Sequence, residues 1–419
     1  MVYIACVLYM VMSTGALGVI DRWVYGSWPG KPGDKLTEAL NLLAIVVSVL
    51  LRWWGIRRLP GARFNRVLPL AAAGLLVTSV LWSVDPSTTT TRSIAYFFLV
   101  VGAIGIAEIF DADEVMRLTA LIGGLSAAAS LVLPDPTFTG LTGLRGLFPG
   151  KNQLGQAMVI GILAGLHGMR VGGRRRFSSI GLTVLCTTVA FLSKSTTSLL
   201  TIFAFFILHI IGTCYIRGGI RSRISICLGI FAAAGFILLM ANIDSIYNLL
   251  DKDPTLTGRT EFWPYIIDYI YQSPLLGWGF AAFFMGSNPY AAEITSTIGF
   301  GINEAHNGML QLLLDIGVVG TAFFLFLWIR NLVIAVKCMN GPAPEIGVSS
   351  LLFLVGILLL GVSEQVLTTA DGTTVQFFLL GFMCEKGLWH ARRARLPFAL
   401  RSAAPDLGQL AGPQGEDAV

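Results

Sequence analysis

The chain has 419 residues and a formal charge of +5, with 54% of its residues hydrophobic and only 13% charged; its mean hydropathy is +0.73. Soluble domains carry about 25% charged residues, so this composition excludes a soluble enzyme, a nucleic-acid-binding domain and a disordered chain. The basic residues stand in short clusters between apolar runs, where they act as topology signals of a polytopic membrane protein.

A membrane span takes about 20 mostly apolar residues. That ruler predicts twelve helices, at about 2–20, 38–56, 67–84, 93–110, 115–133, 153–170, 178–193, 197–216, 224–241, 308–330, 347–366 and 373–390. No basic segment precedes the first run, which reads as a span and not as a cleavable signal, although Ser13, Thr14 and Gly15 interrupt it. Helices are required because backbone exposed to lipid must satisfy its own hydrogen bonds. With the N-terminus in the cytoplasm and the spans alternating, twenty of the Lys and Arg residues fall in inner segments and nine in outer ones. That bias follows the positive-inside rule and places both termini in the cytoplasm. The fold class expected is therefore all-α, with a single transmembrane domain over residues 1–402 and a disordered cytoplasmic tail at 403–419.

Two outer segments stand out. One is the Gly-, Thr- and Pro-rich run from 134 to 152. The other, 241–307, is studded with Trp263, Tyr265, Tyr269, Tyr271 and Trp278; such aromatics belong at the membrane boundary and predict short interfacial helices. The six cysteines, Cys6, Cys186, Cys214, Cys227, Cys338 and Cys384, form no CxxC pair and read as small buried hydrophobes. Few ionisable residues lie within the spans: His209, Glu108 near an inner end, and Asp315. A proton-driven carrier needs more of them.

The charges that suggest chemistry lie outside, in three motifs. The first is Arg145-Gly-Leu-Phe-Pro-Gly-Lys151-Asn152-Gln-Leu-Gly, entering the sixth span. A Gly-rich turn that opens a helix, flanked by two cations, suits an anion such as phosphate. The second is Leu256-Thr-Gly-Arg259-Thr-Glu-Phe-Trp, followed by Pro274-Leu-Leu-Gly-Trp-Gly-Phe. Thr257 is placed to cap a helix beginning near Arg259, which would set that arginine at the positive end of a helix dipole. The third is Asn303-Glu304-Ala-His306-Asn307-Gly, with the one outer-segment histidine, able to hold a proton near neutral pH. Taken singly, each has a plain structural explanation: a charged turn ending a span, an Arg paired with Glu261 or a lipid headgroup, an interfacial His bonded to backbone.

In this order and with this sidedness, the motifs resemble the O-antigen ligase and polysaccharide polymerase family of bacterial inner membranes. The Lys151-Asn152 pair is similar to the exopolysaccharide polymerization branch. Leu256-Thr-Gly-Arg-Thr with Pro274-Leu-Leu-Gly-Trp-Gly-Phe, and Ala305-His-Asn-Gly with Gln311-Leu-Leu-Leu-Asp-Ile-Gly, are similar to the family's central domain; Leu81-Trp-Ser-Val-Asp-Pro and Leu192-Ser-Lys-Ser-Thr-Thr-Ser echo the family less strongly, and the likeness runs over about 75–385. The resemblance implies transfer of a glycan from an undecaprenyl-pyrophosphate carrier to an acceptor hydroxyl at the periplasmic face, with inversion. Arg145 and Arg259 match the family's arginine pair and would grip the departing pyrophosphate. His306 matches its histidine and would orient or deprotonate the acceptor, while Lys151, Asn152, Glu304 and Asn307 are candidate substrate-binding or supporting residues. The outer segments show no acidic cluster suited to Mg2+, so neither metal nor cofactor is expected. The implied partners are the lipid-linked oligosaccharide, a growing polysaccharide or lipid A core acceptor, the bilayer, and a chain-length regulator and flippase, with no nucleic acid. Polymerization is the leading reading, ligation onto lipid A core the alternative, and a lipid-linked glycan flippase the alternative of another class.

Overall fold

The computed structural model describes residues 2–13, 35–58, 64–133, 142–224, 229, 259–285, 288–299 and 301–395. The predicted ninth span and the predicted tail lie almost wholly outside the described residues. Among the described residues there is no strand. The helices are α1 Val2–Ser13, α2 Lys35–Arg58, α3 Val67–Thr78, α4 Pro86–Ile109, α5 Ala112–Val132, α6 Lys151–Val171, α7 Arg175–Ser193, α8 Thr196–Ile216, α9 Arg259–Gln272, α10 Pro289–Ile298, α11 Gly308–Met339, α12 Pro344–Gly361 and α13 Gly372–Arg395. Seven of them, α4 to α8, α11 and α12, are long and apolar enough to cross a membrane, and shorter apolar stretches occupy Val2–Val11, Leu42–Gly55 and Val67–Trp82.

Small residues bring the helices together, as expected where apolar burial gives no net drive between helices in lipid. On α6, Gly161, Gly165 and Gly168 lie against Cys186, Thr183 and Ser179 of α7, and Gly123 of α5 faces Gly161 backbone to backbone. A Cβ at Gly161 or Gly165 would come within 2.7 Å of a neighbour. The outward faces remain apolar, with Leu121, Leu125, Val184, Phe203, Phe326 and Ile329 exposed, as a lipid-facing surface requires.

The helix ends sort into two groups. At one end, the nearly buried Glu108 of α4 receives Arg66 at 2.9 Å and Arg52 of α2. There too Lys386 of α13 donates to the carbonyls of Ala107 and Phe110 at 2.7 and 2.8 Å. His167 of α6 meets Asp113 of α5 and Ser349 of α12 at that same end. The opposite end gathers the Arg145 turn, the start of α11, and the α12–α13 loop.

At that opposite end α11 is broken by design. Gly317 stands inside it at φ +62, and the segment Pro274–Gly279 docks into the break. In an unbroken helix Val318 and Val319 would donate to Leu314 and Asp315. Here Val318 N donates to Pro274 O at 2.8 Å and Val319 N to Leu275 O at 3.2 Å, while Leu314 O and Asp315 O accept from Trp278 N and Gly279 N at 2.8 and 3.0 Å. The loop thus satisfies the backbone groups that the kink releases, as backbone removed from water requires. The Trp82–Asp85 stretch closes on the same loop: Trp82 Nε1 donates to Leu276 O at 2.9 Å and Val84 N to Trp278 O at 3.0 Å.

Candidate active site

The site grows from four local structures. Gly150 precedes α6 in extended conformation, so Lys151 and Asn152 occupy the first turn of that helix. The turn before it is held by Leu144 N donating to Leu192 O at 2.8 Å and Phe148 N to Arg145 O at 3.0 Å. Gly143 and Gly146, at φ +78 and +57, press against Ser193 and Ser130. The Leu192–Ser198 stretch therefore serves as the bed on which the Arg145 turn lies, and Thr197 also bonds Ser363. Arg145 is half-buried there and Lys151 exposed.

Asn307 caps α11: its Oδ1 accepts from Met309 N and Leu310 N at 3.0 and 3.1 Å, and its Nδ2 donates to Val362 O at 3.3 Å. The asparagine is thus occupied by backbone. Glu304 is the residue at the imidazole, with its Oε1 2.8 Å from His306 Nδ1. His306 takes φ +48, a left-handed conformation uncommon for residues with a Cβ but several-fold enriched for His; such conformations collect at functional sites. Ala305, fully buried, anchors the turn, donating its N–H to Gln311 Oε1 at 2.9 Å and accepting from Trp263 Nε1 at 3.0 Å.

A residue not singled out from the sequence completes the cluster. Glu364, buried in the loop after α12, accepts from Asn152 Nδ2 at 2.7 Å. One ligating atom each of Glu304, His306 and Glu364 lies within 4.8 Å of the others. This end of the molecule therefore carries a group of two carboxylates and an imidazole that the linear sequence hides, because its members come from two segments sixty residues apart. By donor chemistry the group can hold a proton or a cation.

Phe262, in the first turn of α9, faces the imidazole with ring centroids 6.4 Å apart. Arg259 stands three residues earlier, at the first position of α9 and on the same helix face; its side chain lies outside the described residues. Helices α9 and α10 are fastened by Tyr269, whose hydroxyl donates to Glu293 at 2.8 Å. Burial and that carboxylate push the Tyr269 phenol up to about 12. The structure thus brings together Asn152, Glu304, His306 and, through Phe262, the start of α9. Arg145 and Lys151 sit on the turn that presents Asn152.

Residues 181–325 match the family whose model is described as O-Antigen ligase. That region contains Arg259, Glu304, His306 and Asn307, along with the broken helix and the loop that repairs it. The central region is thus similar to the O-antigen ligase family, over less than half of the chain. The chain is also 27% identical, over 280 residues, to the exopolysaccharide production protein ExoQ of Rhizobium meliloti (strain 1021), an alignment covering 59% of this chain and 62% of that protein. The chain thus spans less than two thirds of the relative's length. Arg145, Lys151, Asn152 and Glu364 fall outside the matched O-antigen ligase region, and the structure joins two of them to it through the contact of Asn152 with Glu364 and the nearness of Glu364 to His306.

Proposed function

We propose that this protein is a membrane glycosyltransferase that moves a glycan from an undecaprenyl-pyrophosphate carrier to an acceptor hydroxyl at the periplasmic face of the bacterial inner membrane, most plausibly polymerizing exopolysaccharide repeat units. The observation that carries the reading is the cluster of His306, Glu304 and Glu364, set at the membrane end opposite the basic helix termini and beside the start of α9 at Arg259. In this reading Glu304 accepts a hydrogen bond from the Nδ1–H of His306, which leaves Nε2 unprotonated and free to receive the proton of the acceptor hydroxyl. The oxygen attacks the sugar carbon opposite the lipid phosphate, the sugar–phosphate bond breaks with inversion, and the electron pair leaves on the pyrophosphate. Arg145, Arg259 and Lys151 would stabilise that charge as it develops. Glu364, held by Asn152, supports the protonated imidazole electrostatically. No divalent ion is required in this scheme. Likeness to an exopolysaccharide production protein favours polymerization over ligation to lipid A core.

Arg145→Ala and Arg259→Ala are each expected to abolish polymer while the protein stays in the membrane at normal level. Lysine at either position rescues weakly, because it keeps the charge but loses the two-pronged grip. Normal polymer from either alanine variant removes that residue from the site.

The proposed topology has twelve spans with both termini in the cytoplasm. Reporter fusions after Arg58, Arg176, Arg223 and Arg395 are then expected to read as cytoplasmic, and fusions near Lys151 and Asp253 as periplasmic. A periplasmic signal at Arg176 would reverse every later loop and rule out this topology.

A further inference from the structure

A cavity of about 260 Å³ opens beside the loops that carry the cluster. Its walls come from the first turns of α4, the loop around Phe280, and the two loops that hold the site. Asn303 and Gln365, which line it, are the chain neighbours of Glu304 and Glu364. The cavity therefore borders both loops that carry the cluster, and none of the residues lining it belongs to the Arg145 turn.

One cation faces this space. Arg92 has a single hydrogen bond among the described residues, from Nη2 to the weak acceptor Met285 Sδ at 3.3 Å, and no carboxylate within ion-pair distance. Thr368, 4% exposed, lines the same cavity with a hydroxyl that has no hydrogen-bond partner. The buried hydroxyl is costly to leave unsatisfied, while the exposed Arg92 guanidinium feels the carboxylates of Asp315 and Asp85 only at longer range. The remaining wall offers the amides of Asn303 and Gln365 and the ring of Phe284. Amides and hydroxyls both donate and accept, as sugar hydroxyls do, and one guanidinium binds one carboxylate in two-pronged fashion. A pyrophosphate calls for several cations, and among the described residues lining the cavity Arg92 is the one cation. The volume is below the roughly 300–1,000 Å³ of drug-sized pockets and suits a single sugar ring.

We propose that this cavity is an acceptor subsite for a sugar residue bearing a carboxylate, with Arg92 as the group that reads the acid; the assignment to the acceptor rests on the transferase reading above. The test uses the purified full-length protein in phosphatidylcholine nanodiscs, titrated with cellobiouronic acid, cellobiose and inorganic pyrophosphate and followed by ligand-observed NMR. Wild type is expected to bind cellobiouronic acid about ten- to a hundredfold more tightly than cellobiose, the range of a hydrogen bond to a charged group. Arg92→Gln should erase that preference, Arg92→Lys should restore part of it, and pyrophosphate affinity should be unchanged in both, which also reports that they are folded. Equal affinity for the two disaccharides in wild type, or an undiminished preference in Arg92→Gln, overturns the proposal. So does weakened pyrophosphate binding in Arg92→Gln, since the cation would then serve the donor. Loss of pyrophosphate binding is expected in Arg145→Ala; its persistence there counts against the donor assignment alone and leaves the subsite standing.

Discussion

Replacing His306 by alanine is expected to slow glycan transfer by about 10²–10⁴-fold, the usual contribution of a general base. The lipid-linked donor still binds through the cations, so repeat units accumulate, already flipped, on the periplasmic leaflet. Because His306 sits at φ +48, alanine there also tests the backbone. Asparagine, which tolerates left-handed conformation, separates the two effects: His306→Asn should fold like wild type and transfer as poorly as His306→Ala. An impermeant label applied to spheroplasts reads the sidedness. Accumulation on the cytoplasmic leaflet would make the protein a flippase and overturn the transferase reading.

The second large effect is structural. A Cβ at Gly317 would lie 2.3 Å from the backbone of Leu275, and one at Gly277 2.6 Å from that of Asp315, both at positive φ. Backbone strain of about 1–3 kcal/mol and overpacking of a similar size add at a place where neither backbone can yield. Against a total stability of about 5–15 kcal/mol, Gly317→Ala and Gly277→Ala should each sharply reduce the yield of monodisperse protein in detergent. Gly173→Ala is the control: its φ is +66 with nothing within 4 Å, so only the strain is incurred. Equal yields from all three variants would show that the docking of Pro274–Gly279 does not hold the site together.

The helices were largely legible because apolar length is a direct consequence of bilayer thickness. The predicted 153–170, 178–193 and 197–216 correspond to helices Lys151–Val171, Arg175–Ser193 and Thr196–Ile216. Two boundaries moved for local reasons. Helix α4 begins at Pro86 and not near 93, since Asp85 caps it by accepting from Thr88 N at 3.0 Å with Pro at the first position. Those Thr-rich turns are too polar for a hydropathy ruler. Helix α11 continues to Met339 past Arg330, whose charge seemed to end the span; Arg330 instead pairs with Glu385 of α13.

Of the site, the sequence disclosed the motifs but not their partition between chemistry and scaffold. Pro274–Gly279 and Leu312–Gly317 read as separate family echoes, yet each exists to complete the other's hydrogen bonds. Asn307, a candidate binding or supporting residue by sequence, caps α11 with its side chain. Glu364 was the clearest omission. It lay inside the predicted span 347–366, where an acid is costly enough to mark function, and the signal was lost because Ser363-Glu-Gln carries no recognisable pattern. The absence of an acidic cluster along the outer segments was likewise a statement about sequence neighbours; folding sets Glu364 beside Glu304 and His306. The expectation of metal independence therefore needs a direct test.

That test is reconstitution of the purified protein in liposomes with an undecaprenyl-pyrophosphate-linked oligosaccharide inside and out, in the presence of EDTA. The account predicts lengthening of the glycan matched one for one by release of undecaprenyl pyrophosphate, slowed about 10²–10⁴-fold with His306→Ala. Movement of the intact lipid-linked donor across the bilayer without any lengthening would contradict it. Transfer that stops with EDTA and returns with a divalent cation would instead place a metal on Glu304, His306 and Glu364 and contradict the proton-transfer role of the imidazole.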